Sequence, residues 1–305
     1  MSAGGGTKAI LAALGANAGI AAAKFVGFLV TGSSSMLAES VHSLADTTNQ
    51  GLLLIGQKTS KREADKEHPF GYGRDRYFYS FIVALMLFTL GAAFAIYEGI
   101  HKISHPEPLE SPIVAVIILL VAVALESYSF YTAITESKKI KGNAGWWAFI
   151  RQAKEPELPV VLLEDAGALL GLVFALLGVG LSIVTGNPVW DGVGTLAIGA
   201  LLGVIAIILI IEMKSLLIGE GANEGVLATI IDELAAGKVE RVIHIRTQYM
   251  GPDELLVAAK LAMVPGLDTA ELATAIDDAE ARVRAKVPVA KLIYLEPDLD
   301  RSLAR

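Results

Sequence analysis

Residues 32–76 read GSSSMLAESVHSLADTTNQGLLLIGQKTSKREADKEHPFGYGRDR. The first half is an apolar run that carries Glu39, His42 and Asp46, and the second is a charged turn closed by His68-Pro69-Phe70-Gly71-Tyr72-Gly73-Arg74. His42 and Asp46 stand at i, i+4, so a helix puts both on one face. Imidazole and carboxylate on one face form half of a first-row metal site. If that helix lies in a bilayer, ionisable groups there are costly, and their presence argues for function.

Composition says that it does lie in a bilayer. Of 305 residues, 53% are hydrophobic, and the mean hydropathy of +0.55 is concentrated in segments, which is the profile of a polytopic membrane protein. The absence of cysteine removes thiolate ligands and disulfides, leaving N and O donors for any metal. A net charge of -7 argues against nucleic acid as a partner.

About 20 apolar residues are needed for a helix to cross a ~30 Å hydrocarbon layer. Six windows qualify: 8–30, 35–57, 77–100, 111–134, 158–183 and 189–213. Basic residues crowd two connections, Lys58, Lys61, Arg62, Lys66, Arg74 and Arg76 in 57–76, and Lys138, Lys139, Lys141, Arg151 and Lys154 in 135–158. The connections 31–34, 101–110 and 184–188 hold only Lys102. The charge bias places both basic loops and both chain ends in the cytoplasm. No charged n-region with a cleavage site precedes the first window, so the N-terminus is expected to be retained.

From Glu212 the pattern changes to a small α+β domain of order αββαβ. It is expected as a helix near Gly225–Ala236, strands near Arg241–Gln248 and Leu255–Val264 about the turn Met250-Gly251-Pro252-Asp253, a helix near Thr269–Lys286 and a strand Lys291–Leu295. Helices on one face of a sheet suit that order. The expected architecture is thus a six-helix all-α transmembrane bundle over 1–213 and a cytoplasmic domain over 214–305.

At about 1.5 Å per helical residue, His42 lies about 10 Å and Asp46 about 16 Å below the outer surface, while Asp165 lies about 10 Å in from the cytoplasm. Helix tilt can bring the carboxylates to one level. Glu126 falls at a depth similar to that of Asp165, as a proton-handling or structural group. Lys24, Glu39 and Glu98 fall nearer the outer end, where Lys24 and Glu39 are placed to pair or snorkel. Asp191 reads as the N-cap of the sixth helix.

S-x-x-x-L-A-E-x-x-H-S-x-x-D followed by H-P-F-G-Y-G-R resembles the second transmembrane helix and following loop of the cation diffusion facilitator family of divalent-metal transporters, and the resemblance runs in order over nearly the whole chain. It implies a transport site of four ligands, two each from the second and fifth helices. His42, Asp46 and Asp165 match three of them. The fourth position falls on Val161, which cannot bind metal, so Glu164 in V-L-L-E-D is the expected substitute, or water completes a three-ligand site. The resemblance also implies a second, weaker metal site at Asp65 and His68, whose third ligand falls on Tyr72; a plain glycine-containing turn is the favoured reading of that loop. The C-terminal domain is similar to the family's dimerisation domain, which resembles small metal-chaperone (metallochaperone, ferredoxin-like) folds. Tyr294 and Glu296 stand where ligands are expected and His244 is the domain's only histidine, so a homodimer contact is the role left to it.

Imidazole and carboxylates bind M²⁺ deprotonated and take up protons when it leaves, which couples metal to H⁺. The expected function is therefore a Zn²⁺/H⁺ antiporter working by alternating access, with His42 as the proton carrier and Zn²⁺ as substrate rather than cofactor. Mn²⁺, Fe²⁺, Co²⁺ and Ni²⁺ are the alternative cargoes. No organic cofactor is expected, and nothing pairs a nucleophile with a base as an enzyme needs. A non-transporting metal sensor predicts a histidine-rich soluble domain. An organic-cation carrier predicts an aromatic cavity, but only Phe174 is aromatic in the fifth window. The setting is expected to be a bacterial inner or cell membrane, crossed several times, with lipid as neighbour and both termini cytoplasmic.

Overall fold

The computed structural model describes residues 5–31, 34–106 and 112–298, which group into two compact units. The first holds the long helices: α1 (Gly5–Thr31), α2 (Ser34–Thr59), α3 (Asp75–Met86), α4 (Phe94–Ser104), α5 (Pro112–Lys141), α6 (Trp146–Gln152), α7 (Glu157–Thr185) and α8 (Val189–Ile218). A π-helical segment, Leu87–Ala93, joins α3 to α4 in one continuous rod. Asp75–Ser104, α5, α7 and α8 are each long and apolar enough to cross a membrane. In α1 the apolar run Ile10–Val26 is shorter, and α2 is interrupted by the polar run Asp46-Thr47-Thr48-Asn49-Gln50.

Local chemistry sets the ends. Pro112 opens α5, where a missing N–H costs nothing, and Lys138, Lys139 and Lys141 crowd its last turn, favourable to the helix dipole. Gly186 ends α7 at φ 65°, a left-handed cap that suits glycine.

The faces are inverted relative to a soluble bundle. On α7, Leu170, Val173, Leu177, Leu181 and Val184 are exposed at helical spacing, while Glu164, Asp165, Gly167, Gly171 and Gly178 are buried. An apolar stripe outside and small or polar residues inside is what lipid as solvent selects. The α7–α8 contact depends on bare backbone: a Cβ on Gly194 would stand 2.8 Å from the Phe174 carbonyl oxygen, and one on Gly178 3.0 Å from that of Trp190.

Two segments differ from expectation. Arg76, counted among the loop charges, is 7% exposed and clasps Glu157 at the start of α7. The 135–158 connection contains the short helix α6, with Trp146 above the Lys141 ammonium at 5.1 Å and Arg151 paired to Glu212 at 3.3 Å. Periodicity is silent over seven residues, whereas the aromatic and basic side chains that anchor them are tertiary.

The second unit comprises Ser60–Arg74 and the chain from Ser215 on. Its elements are α9 (Glu224–Leu234), β1 (Val239–Gly251), β2 (Glu254–Met263), α10 (Thr269–Lys286) and β3 (Leu292–Asp298). β1 and β2 form an antiparallel hairpin, Val242 opposite Leu261 and Thr247 opposite Val257. β3 lies parallel to β2, the arrangement that a crossover through α10 requires. Leu255, Val257, Ala259 and Leu261 alternate into a core shared with Ile230 and Leu234 of α9 and Ala279 and Val283 of α10. Asn223 caps α9 by accepting from the Val226 N–H, and Asp268 with Glu271 forms a capping box on α10, as the polar residues ahead of each apolar run dictate.

Candidate cation site in the membrane helices

α2 supplies the polar face. Asp46 is half-buried, and one turn on, Asn49 and Gln50 are 2% and 0% exposed. Both amides reach across to α7: Asn49 Nδ2 donates to Glu164 Oε1 at 3.2 Å and Gln50 Nε2 to Glu164 Oε2 at 2.7 Å. Two N–H donors fix the carboxylate's orientation and leave lone pairs on each oxygen for another partner. His42 and Glu39 sit on α2, but their side chains lie outside the described residues.

Asp165 turns to α5, where Ser129 Oγ donates to its Oδ2 at 2.7 Å. Asp165 is 1% exposed. Glu126, three residues before Ser129 and so on the same face of α5, is 5% exposed. Asp46, Glu126, Glu164 and Asp165 are electrostatic neighbours. Val161 is fully buried and offers no donor. Among the described residues, no three His, Asp or Glu side chains converge closely enough to hold a metal ion.

A cavity of about 190 Å³ runs from Asp46, Glu126 and Glu164 toward the end of the bundle where α4 stops and α5 starts, reaching Glu98, Lys102 and Asp191. Lys24 lines it as well. Far from snorkelling, Lys24 is 6% exposed and donates to Ser43 Oγ at 3.0 Å. Asp191 lies in the first turn of α8 and not at its cap; its Oδ2 accepts from Lys102 Nζ at 3.0 Å. At the opposite end Arg76 Nε and Nη2 donate to Glu157 Oε1 and Oε2 at 2.6 and 2.7 Å, with Glu155 at 3.9 Å.

In the Ser60–Arg74 loop, Asp65 accepts from Tyr72 Oη at 2.6 Å and from the backbone N–H groups of Glu67 and His68. The Tyr72 hydroxyl, before all else, holds the Asp65 carboxyl below its ordinary value, and the same bond raises the phenol. His68 Nδ1 stands 3.7 Å from Asp65 and its ring lies against Tyr72, while Arg62 covers the other contact of that ring at 4.1 Å. The loop closes on itself through these bonds. His101 and His105 stack on each other, and His244 accepts from Arg246.

Sequence reasoning missed Asn49, Gln50, Ser129 and the Arg76–Glu157 pair. The signal available for the first two was their spacing, i+3 and i+4 from Asp46, which puts them on its face.

Residues 10–218 match the model of the cation efflux transmembrane domain. The chain is 36% identical over 241 residues to the proton-coupled zinc antiporter SLC30A9, mitochondrial, of Xenopus laevis, covering 78% of this chain and 43% of that protein. To metal tolerance protein C4 of Arabidopsis thaliana it is 29% identical over 257 residues, 83% of this chain and 56% of that one. To the magnetosome protein MamB of Paramagnetospirillum magneticum it is 24% identical over 272 residues, 88% and 85% of the two chains. The chain therefore spans about two-fifths of the length of the zinc antiporters that it matches. With a family model that spans residues 10–218, and so nearly all of the helical unit that carries the carboxylate cluster, this chain belongs to the cation efflux family, the cation diffusion facilitators, a family of membrane metal transporters.

Proposed function

We propose that the protein moves a divalent metal ion, Zn²⁺ first, across a membrane in exchange for protons by alternating access. The observation that carries this is the cluster of half-buried Asp46 with buried Glu164 and Asp165 beside a cavity walled by apolar helices. Carboxylates in such surroundings are costly unless a cation or a proton neutralises them. The ligand set that fits is His42, Asp46 and Asp165, with Glu164 substituting at the position Val161 leaves empty. Asn49 and Gln50 hold Glu164 for that task, as outer-shell donors do. His42 is the residue best suited to carry the exchanged proton. One imidazole among carboxylates favours zinc, and relatives named as zinc antiporters support it. Manganese, iron, cobalt or nickel are the alternative cargoes.

Six spans, α1, α2, Asp75–Ser104, α5, α7 and α8, form the transport domain of residues 1–213, and 214–305 form a cytoplasmic domain for pairing two copies. Even without Arg76, the two basic connections keep the bias that orients them toward the cytoplasm. In that orientation the cavity lies in the outer half, and the Arg76–Glu157 pair closes the inner end.

The test is metal entry into proteoliposomes holding a metal dye and a pH dye, for wild type, Asp46→Ala and Glu164→Ala, with Zn²⁺ and Mn²⁺. Zinc entry with proton counterflow, lost in both variants, supports the antiporter and its ligands. Flux that survives Asp46→Ala, or is indifferent to pH, refutes it.

A further inference from the structure

Glu126 stands near the middle of α5, 5% exposed. Its Oε2 is fully buried and has no hydrogen-bond partner among the described residues. A structural glutamate in a lipid-embedded bundle is expected to be paired, and the neighbouring donors bond other groups, Ser129 Oγ to Asp165 and the Asn49 and Gln50 amides to Glu164, while Lys24, which donates to Ser43, acts on Glu126 through its charge. What Glu126 does face is the cavity that Asp46 and Glu164 also line.

Two more orphaned acceptors belong to the residues that hold Glu164. Asn49 Oδ1 and Gln50 Oε1, the far sides of the two amides that hold Glu164, are buried acceptors without a donor. Buried acceptor oxygens without a donor lack a positive partner, and the carboxylates of Asp46, Glu126 and Glu164 line the cavity with Asp165 as their electrostatic neighbour, while of the two lysines that line it Lys24 donates to Ser43 and Lys102 to Asp191. A divalent cation supplies the charge and the electrophile at once.

We propose that Glu126 is a further ligand for the transported divalent cation, binding it from the cavity side together with Asp46. This rests on the transport reading above and adds a third helix, α5, to a site otherwise built from α2 and α7. Because no three ligating side chains converge among the described residues, water completes the shell on the cavity side before the α7 carboxylates take over.

The experiment is Zn²⁺ binding to the purified full-length chain, by competition with a fluorescent chelator at fixed pH, for wild type, Asp46→Ala, Glu126→Gln and Glu126→Asp. Melting without metal is measured in parallel. Glu126→Gln is expected to weaken binding on the order of 10–100-fold, the scale seen when a metal site loses a supporting group, and Glu126→Asp to recover part of it. The metal-free melting temperature of Glu126→Gln should stay level or rise, since a buried unpaired carboxylate has been removed. A fall in that temperature with unchanged affinity makes Glu126 structural and overturns the inference, while loss of binding in Asp46→Ala leaves the transport site standing. Loss in Glu126→Gln alone keeps Glu126 as a ligand and removes Asp46 from the site. Wild-type binding in every variant overturns both.

Discussion

Arg76 and Glu157 form a two-pronged ion pair, 2.6 and 2.7 Å, between the first turn of α3 and the first turn of α7. Both side chains are almost wholly buried, 8% and 1% exposed. A guanidinium and a carboxylate taken out of water hold together only while both are present, and losing one leaves an uncompensated charge at a cost of ~3–5 kcal/mol. Arg76→Gln and Glu157→Gln should each lower the melting temperature steeply. The double variant should be less damaged than the sum of the two. Melting of all four proteins in one detergent checks this, and strict additivity would mean that the pair is incidental.

That pair shows where sequence reading stops. The helices were legible because lipid imposes a length and a composition on each: window 158–183 falls on α7, Glu157–Thr185, and window 111–134 on α5, Pro112–Lys141. In the soluble unit, alternation placed the strand expected at Leu255–Val264 onto β2, Glu254–Met263, and the helix expected at Thr269–Lys286 onto α10. Arg76 was read as one more loop charge, since pairing across 81 residues leaves no trace in local pattern. The π-helical turn at Leu87–Ala93 is likewise unreadable, because one extra residue per turn barely disturbs an all-apolar run. Within the site, carboxylates announced themselves by their rarity in apolar helices. Amides such as Gln50 did not, because packing between membrane helices uses them freely.

Gln50 is accordingly the most informative neighbour of the proposed ligands. Its amide donates to Glu164 Oε2 at 2.7 Å, and it carries no charge, so replacing it changes orientation without changing the cluster's charge. Gln50→Leu should raise the half-saturating zinc concentration for transport by about 10–100-fold. Gln50→Glu should do worse, since it adds a like charge beside Glu164. The concentration dependence of uptake into proteoliposomes reads both. A curve unmoved by Gln50→Leu would detach Glu164 from the site.

In the soluble unit, Glu271 closes the capping box of α10 and meets Lys238 Nζ at 3.1 Å. The backbone N–H of Asp268, first, and then Lys238 hold its carboxyl below the ordinary 4.5. A depressed folded-state value means that its contribution is complete above the unfolded value and is lost as pH falls through the folded one. Hydrogen exchange at the α10 N-terminus of the intact protein should therefore be flat from neutral pH down to the carboxylate range, after correction for intrinsic rates, and quicken below it. Glu271→Gln should flatten that step. Asp268→Ala, which removes the cap itself, should destabilise the helix by about 1 kcal/mol at neutral pH.

The Ser60–Arg74 loop offers the sharpest choice between a metal clip and a turn that holds itself. Asp65 accepts from Tyr72 at 2.6 Å and from two backbone N–H groups, so a metal shared with His68 has to displace or join bonds already made. The loop also approaches the β1–β2 hairpin backbone to backbone: a Cβ on Gly73 would stand 2.7 Å from the Met250 carbonyl oxygen. Limited proteolysis of the intact protein should find the loop equally resistant with zinc and with a chelator. Tyr72→Phe, which deletes only the hydroxyl, should open it in both conditions, as should Gly73→Val by forcing the hairpin away. Resistance that vanishes with the chelator, while Tyr72→Phe behaves as wild type, would restore the second metal site at Asp65 and His68. In that case the Tyr72 hydroxyl bond is what the loop forms only when the metal is gone.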